Sequence, residues 1–212
     1  MLTGTHRQRG VTLVELAVGI AIVVLLFSMG VPSFTHWIQS AQIRTAADAV
    51  QNGLQLARAT AVQRNTNITF QLMTTVDSSC ALSAAGPNWV VSHPVSLPNA
   101  VGNCDKPALD PPAPPAALDP TDPYIIQKRP AAEGSANAVL AATQATIVFN
   151  GLGRVAPVPA GNIDIDITNP SGGNCTAAGG PIRCLRVTVS PNGQIRMCDP
   201  AVSFGATTPQ GC

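Results

Sequence analysis

The sequence predicts an α+β fold in which one long N-terminal helix, half membrane-type and half amphipathic, packs on a mainly antiparallel β-sheet head with disulfide-closed loops. Three observations predict it. After Leu16 an apolar run reaches Val31 with Ser28 as its polar interruption, long enough with the residues from Val11 to span a bilayer as a helix at about 1.5 Å per residue. Beyond it, apolar residues recur at spacings of three and four as far as Ala61, and after residue 66 the period changes to the alternation of strands.

The first element opens with Arg7-Gln8-Arg9-Gly10-Val11-Thr12-Leu13-Val14-Glu15-Leu16. A secretory signal peptide would share the basic start and the apolar run but should end in a small-residue cleavage site, and residues 28–34 offer a poor match. A plain transmembrane anchor explains everything except Glu15. A carboxylate inside an apolar segment costs on the order of 2.5–3.5 kcal/mol on insertion scales, so it marks a function and needs a cationic partner. Cleavage between Gly10 and Val11 would create one, an α-amino group at the depth of Glu15. Arg7 and Arg9 would stay cytoplasmic under the positive-inside rule, with the remainder across the membrane.

The helix continues, with Phe34, Trp37, Ile38, Ala41, Ala46, Val50, Leu54, Ala57 and Ala61 on one face, predicted to pack against the chain's own sheet. Gln39, Gln42, Arg44, Asp48, Gln51, Gln55 and Arg58 occupy the other, with Arg44 and Asp48 placed for an i,i+4 ion pair. A helix over residues 11–64 is roughly 80 Å long at about 1.5 Å per residue. Pro32 lacks an N–H and is expected to kink or locally melt it.

Strands are predicted at 67–72, 163–167 and 182–189, and shorter ones at 89–91, 124–128, 146–149 and 195–197, forming a sheet on the apolar face of the helix. Pro191-Asn192-Gly193 has the turn chemistry for a hairpin joining the last two. Residues 107–123 carry seven prolines with interspersed aspartates and are predicted to run as an exposed, extended insertion.

The 212 residues leave one soluble domain of ordinary size after the membrane segment. The six cysteines form no C-x-x-C pair and suit an oxidising compartment, where disulfides are the default. Local spacing favours Cys80 with Cys104, Cys175 with Cys184, and Cys198 with Cys212. Three histidines are scattered over the leader, the membrane edge and a loop, so they do not suggest a metal site. Asp164 and Asp166 share a strand face, as a carboxylate pair for acid–base work would, but the wet face of an amphipathic strand explains them as well. Gly151-Leu152-Gly153 lacks the third glycine of a dinucleotide site, and no phosphate-binding G-x-x-x-x-G-K-[ST] loop is present. No enzyme and no cofactor is expected.

The run Gly10-Val11-Thr12-Leu13-Val14-Glu15 resembles the prepilin signature of type IV pilins and type II secretion pseudopilins, with Val11 where Phe is usual. The order of a long helix, a β-rich head and a cysteine-closed end is similar to the GspH/FimT group of minor pilins and pseudopilins. So are residues 57–64, residues 146–155 and the run Ser190-Pro191-Asn192-Gly193-Gln194-Ile195-Arg196-Met197-Cys198. The resemblance implies a leader at 1–10, a transmembrane or filament-core helix at 11–32, its amphipathic continuation at 33–65 and a periplasmic head at 66–212. It further implies cleavage after Gly10 by a prepilin peptidase/methyltransferase, N-methylation of Val11, and pairing of Glu15 with the α-amino group of a neighbouring subunit during assembly. Inner-membrane lipid and other minor and major pilins or pseudopilins are the implied partners, and the pilus or pseudopilus is the destination. The role implied is a minor pilin that initiates or caps type IV pilus assembly, with the H-type minor pseudopilin of type II secretion as the alternative.

Some FimT-type members bind DNA through Gly-Arg-x-Arg; here the run reads Gly193-Gln194-Ile195-Arg196, without the first arginine. Arg183, Arg186 and Arg196 are the residues that could contact DNA, although Arg183 and Arg186, three apart, point to opposite faces of a regular strand. Removing Arg7 and Arg9 from the 12 Lys+Arg leaves ten against 11 Asp+Glu, so no global basic field exists for a polyanion.

Overall fold

A computed structural model describes residues 11–93, 100–108 and 123–212, with the side chains of 28–34 also left aside. The leader and nearly all of the proline-rich insertion lie outside the described residues. The chain divides into two compact units, Met1–Trp37 and Ile38–Cys212.

One helix, α1 (Leu13–Arg64), contributes to both units. Of the kink or local melting expected at Pro32, the melting does not occur, since the helix runs through this residue. It stops at a Schellman-type cap: Asn65 takes the left-handed conformation (φ 47°), its N–H donates to the Val62 carbonyl at 3.3 Å, and the Thr66 N–H donates to Ala61 at 3.2 Å. Asn tolerates that conformation better than most residues, which is why the helix ends here without a glycine.

The second unit holds two four-stranded antiparallel sheets where the sequence suggested one. The strands are β1 (Ile68–Met73), β2 (Asn88–Ser92), β3 (Ile125–Arg129), β4 (Val139–Ala142), β5 (Thr146–Phe149), β6 (Ile163–Thr168), β7 (Leu185–Val189) and β8 (Ile195–Cys198). Their spatial orders are β3-β2-β1-β5 and β4-β6-β7-β8. The chain changes sheet between β4 and β5, where the Ala145 carbonyl accepts from the Leu72 N–H at 2.8 Å and the Thr143 N–H donates to Asp164 at 2.9 Å. The strand expected from residue 182 begins at Leu185, because Ile182 instead bridges to Cys175.

Both sheets close on the second half of α1. Ile43, Ala46, Ala47, Val50, Leu54, Ala57 and Ala61 are buried together with Ile68, Phe70 and Leu72 of β1, Ile147 and Phe149 of β5, Ile163, Ile165 and Ile167 of β6, and Val187 and Val189 of β7. Burial of aliphatic and aromatic side chains at about 1.5–3 kcal/mol each dominates the stability of such a core. Gly53 lets the aromatic pair Phe70–Trp89, 5.7 Å between ring centroids, lie close to the helix: a Cβ there would come within 2.9 Å of Phe70 Cε2. The expected apolar stripe is corrected at its start. Trp37 (66%), Ile38 (38%) and Ala41 are exposed, while Ile43 and Ala47 are buried in their place. Arg44 and Asp48 form their pair at 4.0 Å, too solvated to contribute much.

The strands β1 and β2 are buried along their whole length, polar positions included, because a second small core covers the opposite face of their sheet. Met73, Val90, Ala100 and Ile125 form it around the Cys80–Cys104 disulfide. Beside it the Lys128 ammonium donates to three carbonyls, those of Cys104 (2.6 Å), Asp105 (3.1 Å) and Lys106 (2.9 Å). The other disulfides, Cys175–Cys184 and Cys198–Cys212, close the loops on either side of the β7–β8 hairpin. These are the three pairs that local spacing favoured.

That hairpin turns at Gly193 (φ 80°), where a Cβ would collide with the Gly153 carbonyl oxygen. Gly179 (φ 76°) shares the left-handed conformation but has open space around it. Gly193→Ala should therefore lose more stability than Gly179→Ala, whose cost is the backbone strain alone, about 1–3 kcal/mol. Denaturant unfolding of the two variants in detergent checks this; equal midpoints would show that the loops do not interlock as described.

Candidate assembly site

The N-terminal residues are the chain's least covered apolar surface. Every described side chain from residue 11 to residue 27 is exposed, and the large hydrophobic ones, from Val11 and Leu13 to Phe27, range between 49% and 83%. A helix that is apolar on all sides is buried in lipid or among other proteins when it functions. Among the described residues no helix is long and apolar enough to cross a membrane. The described side chains of this run stop at Phe27, and the sequence run continues into residues 28–31.

Thr12 starts this helix. Its hydroxyl accepts from the Glu15 N–H at 3.3 Å and its carbonyl from the Leu16 N–H at 3.1 Å, which makes Thr12 the N-cap and Glu15 the third helical residue. Glu15 thus lies in the first turn, where the helix dipole favours a negative charge. The sequence carries the signal in Thr12-x-x-Glu15, the spacing of a capping box, yet the reading of Glu15 as a charge inside an apolar run passed over it. Gly10 lies outside the described residues, and Val11 is exposed next to the cap.

The three arginines considered for DNA are each engaged within the head. Arg186 lies across the outer face of β6 and β7: its Nε donates to Asp166 Oδ1 at 2.7 Å, Nη2 to Asp166 Oδ2 at 3.0 Å and Nη1 to Asp164 Oδ2 at 3.3 Å. The Thr188 hydroxyl donates to Asp164 Oδ1 at 2.9 Å. Hydrogen bonding to Asp166 raises the Arg186 pKa, partial burial opposes it, and the charges of Asp166 and Asp164 reinforce it. One cation facing two carboxylates leaves a net negative cluster, and in this structure Arg186 serves as a cross-strand tie. Asp164 and Asp166 are held in that tie on the partly exposed face of β6.

Arg183 Nε lies 2.6 Å from Asp199, a carboxylate with 7% side-chain exposure beside the C-terminal loop. Arg196 stacks over Phe204 at 4.7 Å from the ring centroid. Arg154, on the loop after β5, keeps its backbone N–H on Asn150 Oδ1 at 3.1 Å. Arg183, Arg186 and Arg196 are thus each engaged by a different group, although the register places Arg186 and Arg196 on the same face of the β7–β8 hairpin. Among the described residues, no group of three or more His, Cys, Asp or Glu could hold a metal ion.

A capped apolar helix continuing into a second half on antiparallel sheets defines the class of pilin-like structural subunits. Residues 46–193 match the family described as type II transport protein GspH, and residues 5–31 match the prokaryotic N-terminal methylation motif. The chain belongs to the GspH family, which comprises minor pilins and pseudopilins. Among solved structures it is similar to the Pseudomonas aeruginosa type IV minor pilin FimU in two crystal forms. Both matches have 14% identity and cover 77% of this chain, with 97% and 92% of the FimU chain covered and TM-scores of 0.43 and 0.45. No curated protein matches.

If Arg186 chiefly neutralises Asp164 and Asp166, Arg186→Met should destabilise the head by about 1–2 kcal/mol, a figure already discounted for solvent screening at a partly exposed site. Adding Asp164→Asn and Asp166→Asn should restore part of the loss by removing the unpaired charges. Urea unfolding of the single and triple variants distinguishes this from simple loss of packing, which the added changes would not repair.

Proposed function

We propose that this chain is a non-enzymatic minor pilin that helps initiate or cap type IV pilus assembly. A prepilin peptidase cuts between Gly10 and Val11 and methylates Val11; the cut chain waits in the inner membrane as a single-pass protein with its head in the periplasm. Leaving the bilayer, it joins other pilins, and Glu15 pairs with the α-amino group of a neighbouring subunit. The observation that carries this reading is the exposed apolar run 11–27 with Glu15 as its only acid, placed in the first turn of α1. Such a surface needs either lipid or other helices around it, and a pilin exchanges one for the other.

The second reading, a minor pseudopilin of type II secretion, is favoured by the description of the matching family as type II transport proteins. DNA uptake has less support, because Arg183, Arg186 and Arg196 are occupied by Asp199, the two β6 carboxylates and Phe204.

Deleting the gene and measuring pilin sheared from the cell surface, with secreted enzyme activity in the same cultures, tests the choice. Loss of pili with normal secretion is the expected result; normal pili with lost secretion would move the chain to the type II system. Glu15→Ala should be cleaved as the wild type is but should be depleted from sheared filaments. Wild-type incorporation of that variant would rule out the ion-pair role.

A further inference from the structure

Between Glu15 and Arg44 the chain carries no Asp, Glu, Lys or Arg. Near the far end of this charge-free stretch stands Trp37, 66% exposed, next to exposed Thr35 and His36. The burial of α1 against the sheets begins only at Ile43. The chain's other tryptophan, Trp89, is 3% exposed and lies in the core. An indole is a large apolar body with one polar edge, which suits a boundary between hydrocarbon and water and is enriched there in membrane proteins.

The helical rise puts numbers on that boundary. From Glu15 to Trp37 is 22 residues, about 33 Å along a helix at about 1.5 Å per residue. A bilayer's hydrocarbon core is about 30 Å thick, and about 40–45 Å with its headgroup layers. With Glu15 at one edge of the hydrocarbon, Trp37 emerges at the other.

We propose that Trp37 docks in the headgroup–acyl boundary of a phospholipid bilayer, on the face opposite Glu15, and fixes the depth at which the chain is held before assembly. The inference rests on the membrane-held stage of the proposed function and adds to it a residue that sets depth. Lipid is the occupant, not a second copy of the chain, because the exposed band at 35–37 offers a partner no Asp, Glu, Lys or Arg and lies one bilayer thickness from Glu15.

Full-length chain is reconstituted into vesicles of phosphatidylethanolamine with a minority of phosphatidylglycerol, and association is read by flotation. Subtracting the emission of Trp37→Phe from that of the wild type isolates Trp37, since Trp89 is common to both; Trp89→Phe, in which Trp37 emits alone, gives the same reading by a second route. The expected Trp37 emission is shifted to shorter wavelength than in water. It should be quenched strongly by a nitroxide at a shallow acyl position, less by one near the bilayer centre, and little by aqueous acrylamide. A floating chain whose Trp37 emits as in water and is quenched by acrylamide overturns the proposal while leaving the membrane stage intact. Strongest quenching from the bilayer centre overturns it as well. A wild-type chain that does not float overturns the membrane stage, and the placement of Trp37 with it.

Discussion

The close approach of two sheets to the small side chains of α1 between Ile43 and Ala61 is the constraint on which the head depends. Ala46, Ala47, Ala57 and Ala61 present little beyond the backbone, so the isoleucines of β6, the valines of β7 and the aromatic rings of β1 and β5 reach the helix together. Larger side chains at those four positions would separate the sheets, and overpacking of a filled core typically costs about 1–3 kcal/mol. The polar face of the helix is used too. Gln42 Oε1 accepts from Asn169 Nδ2 at 3.0 Å and Gln39 Nε2 donates to the Ser171 carbonyl at 3.1 Å, which fixes the loop after β6 to the same element.

Division of labour along one helix follows from where its charges fall. The half before Arg44 carries no charge after Glu15, and its cap at Thr12 supplies an ordered polar feature at its start. Past Arg44 the wet face carries ionised and amide groups, and the dry face belongs to the sheets. Sequence pattern separates these halves: the first is apolar on all sides and shows no helical period, while the second alternates apolar and polar faces at spacings of three and four.

Most strands were legible because β-branched residues alternate with polar ones, as in Ile163-Asp164-Ile165-Asp166-Ile167, and the hairpin at Gly193 was legible from its turn residues. Strand β4 was not, since Val139-Leu140-Ala141-Ala142 has neither alternation nor more than one β-branched residue. The split into two sheets depends on hydrogen bonds such as that from Leu72 to Ala145, which are long-range and leave no local mark. At the site, Glu15 stood out as a charge inside an apolar run, and Gly10 and Val11 through the resemblance of that run to the prepilin signature. The role of Arg186 was hidden because it depends on the register that sets Arg186 opposite Asp166. Trp37 was placed on the packed face because its spacing matches the stripe, but it is 66% exposed.

The three carbonyls held by Lys128 and the adjoining Cys80–Cys104 bridge have a practical meaning for handling this protein. The proline-rich segment departs just after the clamp on Lys106 and returns into β3, the strand that carries Lys128 itself. Departure and return are thus tied to one strand, on the side of the sheet away from α1. An epitope or a fluorophore acceptor peptide inserted between residues 109 and 122 would enter between two anchored ends. This makes the segment a place to label the head whose flanking residues are held on the side of the sheet away from α1.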